Sequence, residues 1–179
     1  MFEGLSIRVA KEQDVEAIAH LSIQTFRDTF ATSDNAADTE AYLQSHFQIQ
    51  QISTELADNK NTFLLACLED SSELIGYAKL RAGVTESCVT GENPIELERL
   101  YVDKTALGQG IGARLMQFCL DRASTQNYDT LWLGVWEHNQ RAIEFYSRWE
   151  FVTVGSHIFT MGSDDQNDLI MQRPTKLER

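Results

Sequence analysis

The run Glu96-Leu-Glu-Arg-Leu-Tyr-Val102 reads as a strand, and it soon gives way to Leu107-Gly-Gln-Gly-Ile-Gly-Ala113 and an amphipathic helix. This strand, glycine turn and helix constrain the fold more than any other segment. They leave backbone N–H groups free at the positive end of a helix, a place suited to phosphate or pyrophosphate. Glycines keep side chains out of the ligand's way. The rival reading is a turn chosen for its shape alone.

Two phosphate-binding folds compete for this turn. Gly108, Gly110 and Ala113 formally satisfy the dinucleotide pattern G-x-G-x-x-A. A dinucleotide domain, however, would place that turn after its first strand, with further parallel βαβ units behind it. Here helices and hairpins come first, and one clear crossover follows. A P-loop requires Gly-Lys-Ser/Thr, which is absent.

The rest of the chain supplies the frame. Ser6–Val9 reads as a first strand, and Val15, Ile18, Ser22, Phe26 and Phe30 form a stripe at helical spacing. Further helices are expected near residues 38–47 and 49–56. Phe63–Leu68 and Leu74–Leu80 read as a hairpin around 69–72. Ile111, Leu115, Phe118, Cys119 and Arg122 mark the face of a helix over 110–126. A strand at Thr130–Val135, a helix over 141–149 and closing strands complete a mixed α/β sheet, with residues 1–179 expected to form one domain. Trp132, opposite in parity to Leu133 and Val135, is expected in the core.

With 15 basic and 27 acidic residues the net charge is −12, which disfavours nucleic acid and anionic membranes. It suits solubility, or the gathering of a cationic substrate. No apolar run approaches the roughly 20 residues of a membrane span, and the start lacks a secretory pattern, so a cytoplasmic protein is expected. Cys67, Cys88 and Cys119 cannot all pair, and Cys67 and Cys119 are expected as buried thiols. His20, His46, His138 and His157 show no metal-ligand spacing, so no metal is expected.

A third piece, Trp136-Glu-His-Asn-Gln-Arg-Ala-Ile-Glu-Phe-Tyr146, follows the glycine turn in order. Together Glu98-Arg-Leu-Tyr-Val102, Leu107–Gly112, Asn139, Ala142, Tyr146 and Phe151 resemble the GCN5-related N-acetyltransferase (GNAT) superfamily. The likeness is good over roughly residues 74–154 and generic before them. A closer resemblance is to bacterial PaiA-type spermidine/spermine N-acetyltransferases, on Leu131-Trp-Leu-Gly-Val-Trp-Glu-His-Asn139 and the tail 155–171.

The resemblance implies a mainly antiparallel mixed sheet flanked by helices, and transfer of acetyl from acetyl-CoA to a primary amine by direct attack in a ternary complex. Backbone groups of Leu100, Tyr101 and Val102 would pair with the pantetheine arm as an added strand does. N–H groups of Leu107, Gly108, Gln109, Gly110, Ile111, Gly112 and Ala113 would hold the pyrophosphate. Asn139 would meet the cofactor near its sulfur, and Tyr146 would donate a proton to the departing thiol. Ordinary helix packing is the alternative for Tyr146. Two departures stand out: Leu107 replaces the usual Arg or Gln, and Glu150 replaces the Gly before Phe151.

The acceptor must lose a proton, since an alkyl ammonium titrates near about pH 10. Glu96 and Glu98 alternate onto one strand face, with Leu100 and Val102 expected beside them. Glu98 matches the carboxylate of polyamine acetyltransferases, as base or ammonium anchor, and Glu96 the base of histone-type relatives. A salt bridge with Arg99 or Arg81 is the structural alternative. Phe30, Trp136 and His157 are candidate walls of the acceptor pocket. Phe26, Phe30 and Tyr42 also suit core packing. Asp28, Asp34 and the Asp164–Asp165 pair read as distant amine contacts or as solvated charges. A polyamine is the leading acceptor. A protein N-terminus or lysine, or a non-catalytic CoA-binding regulator, are the alternatives. No Cys lies in the matched catalytic segments to carry an acyl group. A homodimer, common in the superfamily, is the expected assembly.

Overall fold

The computed structural model describes residues 4–30, 36–161 and 164–176. The chain begins with β1 (Leu5–Val9) and a 3-10 turn, Glu12–Asp14. The Asp14 carboxylate ties the two together by accepting bonds from both terminal nitrogens of Arg8 at 2.7 Å and from the Lys11 N–H at 2.7 Å. Three helices follow: α1 (Val15–Phe30), α2 (Ala36–His46) and α3 (Ile49–Ala57). Next come β2 (Asn61–Leu68), β3 (Leu74–Ala82) and β4 (Pro94–Val102). The chain then forms α4 (Ile111–Thr125), β5 (Thr130–Trp136), α5 (Gln140–Arg148), β6 (Val152–Met161) and β7 (Asp164–Pro174).

The strands build one seven-stranded sheet in the order β1-β2-β3-β4-β5-β7-β6. All neighbours are antiparallel except β4 and β5, whose parallel pairing requires the α4 crossover. Each face buries its own core. One holds Leu80, Ile95, Leu97, Leu115, Cys119, Leu131 and Leu133 under α4 and α5. The other holds Ile18, Phe26, Leu43, Phe47, Ile52, Phe63 and Tyr77 under α1, α2 and α3. Each such side chain contributes about 1.5–3 kcal/mol by leaving water. Phe26 stacks on Tyr42 at 5.0 Å between centroids, which makes these rings core packing. Trp132 is buried, and Cys67 and Cys119 are buried free thiols, as expected.

Two expectations about faces fail. Phe118 was expected on the inner stripe of α4 but is 41% exposed, while Met116, Leu120 and Ala123 share the interior with Ile111, Leu115 and Cys119. The buried face is therefore shifted around the helix. In β4 the pairing with β3 slips: Leu80 faces Leu97, but Lys79 faces Arg99. Glu98 is the extra residue, so the strand bulges there and its alternation changes phase. Leu100 and Val102 consequently pack with Ile95 and Leu97 against the α4 core. Glu96, Glu98 and Arg99 turn their charges to the other face, and Tyr101 packs there. Leu100 and Val102 thus do not share the face of the two glutamates.

Glu150 stands at φ 65, the left-handed conformation that glycine adopts most readily. It closes α5 as a glycine would, with the Phe151 N–H donating to the Tyr146 carbonyl at 3.1 Å.

Candidate active site at the parting of two strands

The parallel ladder between β4 and β5 is short. It pairs Pro94 with Thr130, Ile95 with Leu131 and Glu96 with Trp132, and goes no further. Beyond that point β4 stays paired with β3 as far as Val102, and β5 with β7 as far as Trp136. Each strand is held on its outer side while the inner edges part. Backbone groups on such an edge are open to an extended ligand.

A cleft of about 780 Å³ opens over this parting. Leu100–Val102, Leu107, Gly108, Gly110–Ala113, Trp136, Asn139 and Tyr146 all line it. Gly108 (φ 78) and Gly110 (φ 85) hold left-handed conformations that a side chain would strain. A Cβ built on either meets nothing within 4 Å, so open space lies above both. Gly110 caps α4, whose first N–H groups have no carbonyl a turn earlier to accept them. The Leu107 N–H is already directed at the Lys104 carbonyl, at 3.4 Å. Gln109 is outside the cleft lining, and its side chain donates to the Thr105 carbonyl at 3.1 Å.

Asn139 caps α5, its Oδ1 accepting from the Ala142 N–H at 3.2 Å. Among the described residues its Nδ2 meets no acceptor. Tyr146 is half-buried, edge-on to Phe145 at 5.4 Å and to Phe151 at 5.7 Å. Burial first, and then the neighbouring Tyr101 and Cys119, hold the Tyr146 phenol well above its usual range, so it keeps its proton at neutral pH. Burial likewise pushes Tyr101 up to about 12.

Glu96 and Glu98 lie outside the cleft lining. They belong to a lattice of ion pairs beneath α3. Lys79, with a side chain only 2% exposed, bridges Glu98 and Glu55, the latter at 3.0 Å. Arg99 grips Glu55 with bonds of 2.8 and 2.9 Å. Arg81 joins Glu96 at 2.7 Å to Glu98 at 3.1 Å. Three carboxylates meet three cations. The salt bridge with Arg81 is therefore present, whereas Arg99 goes to Glu55. Burial raises the Glu96 pKa above the ordinary range against the pull of Arg81. In Glu55 burial acts the same way, but Arg99 and Lys79 outweigh it and hold the carboxyl low.

His157 is also outside the cleft lining. Its Nδ1 meets Glu86 at 2.9 Å, and its Nε2 lies 3.9 Å from Asp168. These groups stand over Gly134, where a Cβ would come within 3.7 Å of both the Asp168 Oδ2 and the His157 Nε2. Burial raises the Asp168 pKa, opposed by His157 and reinforced by Glu137. The Phe30 side chain, Asp34 and the Asp164 side chain lie outside the described residues. Asp165 is an exposed hairpin charge bonded to the Thr160 hydroxyl at 2.7 Å.

Asp28, read from sequence as a distant amine contact or a solvated charge, lines the cleft and pairs with Lys104 at 2.9 Å. The sequence reading missed several walls of the cleft: Thr25 and Thr29 of α1, then Lys104, His138, Arg141, Phe145, Arg148 and Trp149. A signal existed for the last group. Residues 141, 145, 148 and 149 fall at helical spacing on one face of α5.

Residues 9–151 match the family model described as the acetyltransferase (GNAT) family. The chain belongs to that family. It is 29% identical to an uncharacterised N-acetyltransferase from the pepI 3′ region of Lactobacillus delbrueckii subsp. lactis, covering 95% of this chain and 97% of the relative. It is 26% identical to an uncharacterised N-acetyltransferase of Mycobacterium tuberculosis, covering 89% of this chain and 97% of the relative. Among solved structures, the fold is similar to PaiA N-acetyltransferase from Thermoplasma acidophilum in complex with coenzyme A. That likeness has a TM-score of 0.75 and 20% identity, over 96% of this chain and 99% of that one.

This GNAT protein is an acetyl-CoA-dependent acyltransferase. Its cleft fits the co-substrate: the open space above Gly108 and Gly110 meets the free N–H groups of α4, and the unpaired β4 edge suits an extended amide-bearing arm. Among the described residues no three His, Cys, Asp or Glu side chains cluster as a metal site. No helix among them is long and apolar enough to cross a membrane.

Proposed function

We propose that this GNAT enzyme acetylates a primary amine on a small cationic acceptor, with a polyamine such as spermidine or spermine as the leading case. One observation carries the reading: β4 and β5 part over a cleft that also gathers the α4 N-terminus, Asn139 and Tyr146. The co-substrate supplies an acetyl group activated as a thioester. In this proposal the Leu100–Val102 backbone binds its arm as a third strand, and the N–H groups of Gly108–Ala113 hold its pyrophosphate. The Asn139 Nδ2 orients the arm near the sulfur. The Tyr146 hydroxyl holds its proton at neutral pH and releases it as the thiol departs.

The acceptor side rests on charge. Net charge is −12; Glu86 and Asp168 face His157 beside Gly134, and Glu137 adds its charge near Asp168. Glu98 is balanced by Lys79 and Arg81, so it offers an ammonium less than its sequence position suggests. We assign the ammonium to Asp168 and Glu137, and keep Glu98 as the second carboxylate to test for proton acceptance. Trp136 lines the cleft, and Asp168 and Glu137, like Glu98, stand outside its lining.

Thiol release from acetyl-CoA over a panel of polyamines, amino acids and peptides tests this reading. Polyamines are expected to turn over fastest, with kcat/KM for them reduced about tenfold or more in Asp168→Asn. A preference for peptides, or equal rates in the variant, contradicts the acceptor assignment. A selective loss in Glu98→Gln instead moves the proton-accepting role to β4.

A further inference from the structure

The cleft reaches both faces of the sheet. Leu100, Val102 and Tyr146 pack against the α4–α5 core, whereas Tyr101 packs against the aromatic core under α1–α3, yet all four line the same space. The parted edges of β4 and β5 allow this, since their ladder ends at Glu96 and Trp132. Of the three β4 residues at the gap, only Tyr101 turns its side chain to the α1–α3 side. The bulge at Glu98 puts it there by changing the phase of the strand.

Few oxygens in the cleft are placed to meet an attacking nitrogen. Glu98, Glu137 and Asp168 stand outside the lining, and Asp28, which does line it, is paired with Lys104 at 2.9 Å. The Thr25 and Thr29 hydroxyls are turned back on α1, donating to the Leu21 carbonyl at 2.7 Å and the Thr25 carbonyl at 2.9 Å. The Asn139 Oδ1 caps α5. The Tyr101 hydroxyl differs, because no hydrogen bond among the described residues occupies it. Its ring neighbour Tyr77, 5.7 Å away between centroids, has its own hydroxyl on Ser22 at 2.6 Å. Tyr101 also lies near enough to Tyr146 on one side, and to Asp168 and Glu98 on the other, for charge to act between them. Burial pushes its pKa up to about 12, so at neutral pH it is an uncharged oxygen. A carboxylate touching an amine favours the protonated, unreactive ammonium. A phenol oxygen accepts an N–H bond and leaves the nitrogen lone pair free.

We propose that the Tyr101 hydroxyl contacts the reacting nitrogen of the acceptor, accepting an N–H bond that aims its lone pair at the thioester carbonyl. This rests on the reading that the acceptor is an amine entering the cleft beside acetyl-CoA. The nitrogen forms the new N–C bond as the C–S bond breaks. The sulfur takes its proton from Tyr146, and the proton the nitrogen loses passes to water, from which Tyr146 is reprotonated. Asp168, opposite Trp136 on the neighbouring strand, is left to a further ammonium of the same acceptor.

Initial rates with spermidine at saturating acetyl-CoA test the contact in Tyr101→Phe, which keeps the ring beside Tyr77 and the backbone of β4. The variant's kcat/KM for spermidine should fall about tenfold, the size of one lost hydrogen bond. Its Kd for coenzyme A should stay within about twofold, and its melting temperature should match the wild type. A merely structural residue would lower coenzyme A affinity and melting temperature as well. The pH profile of kcat/KM should drop as a whole and keep its shape, because this phenol holds its proton throughout about pH 6–9. An undiminished kcat/KM, an equal loss of coenzyme A affinity, or a displaced limb of the pH profile overturns the proposal. If the wild type turns over a peptide and not spermidine, the polyamine reading falls, and the same comparison is made with that peptide's amine. No turnover of any amine by the wild type overturns the amine reading and this contact with it.

Discussion

The two faces of the sheet solve different problems with different materials. On the α4 and α5 side, an apolar core supports backbone: a strand edge, a glycine turn and the first turn of a helix. On the α1–α3 side, three carboxylates and three cations meet among aromatic rings, with Arg99 4.9 Å from the Phe47 ring centroid and Lys79 5.7 Å from that of Phe63. The bulge at Glu98 joins the two, because it sends charge to one side and Leu100 and Val102 to the other. A backbone site tolerates changes of side chain such as Leu107. An ion lattice does not, because each member is compensated by named partners.

The largest expected effect is therefore in the lattice. Lys79→Met leaves three carboxylates with two cations, Arg99 on Glu55 and Arg81 on Glu96 and Glu98, so one buried charge goes uncompensated and the fold should be destabilised by about 3–5 kcal/mol. Adding Glu98→Gln should return part of that loss. Denaturant unfolding of the single and double variants measures both, and a loss of under about 1 kcal/mol for Lys79→Met would show that the lattice is dispensable.

On the other face the second-largest effect is chemical. Tyr146→Phe should lower kcat about a hundredfold or more at saturating substrates while leaving the Kd for coenzyme A nearly unchanged. Unchanged turnover would return Tyr146 to helix packing. Next, Gly110→Ala forces a side chain into φ 85 at the mouth of the phosphate turn. It should cost about 1–2 kcal/mol in stability and weaken coenzyme A binding further, as read by titration. If binding stayed intact, the space above Gly110 would have no part in holding the ligand.

The smallest effect runs in the opposite direction. Glu150→Gly relieves a residue held at φ 65 and should stabilise the protein by about 1 kcal/mol in thermal unfolding. Its 3.9 Å contact with Arg173 is long and offsets little of this. A destabilised variant would mean that the contact outweighs the strain.

These contrasts also explain what could be read from sequence. The elements and their order were legible because apolar spacing and glycine position encode local backbone. The backbone walls of the cleft were legible through the resemblance carried by the three ordered motifs. The lattice was not legible, because Glu55 meets Lys79 and Arg99 only once α3 packs on the sheet. Nothing in Glu96–Val102 announces the bulge that breaks its alternation, so Leu100 and Val102 were placed on the wrong face. Asp168 escaped notice because its setting depends on the antiparallel partnership of β7 with β5 and on His157 across from it in β6. The α5 stripe was readable, but its arginines look like an ordinary solvated face until the cleft is seen beside them.

Hydrogen–deuterium exchange with and without coenzyme A tests the central claim most directly, because it reads the backbone groups on which the cleft depends. Bound ligand should slow exchange at Leu100–Val102 and at Gly108–Ala113 together, and leave β1 and β2 unchanged. Protection confined to other segments, or none at either of these two under saturation, would contradict the assignment of the parted strands and the glycine turn as the co-substrate's seat.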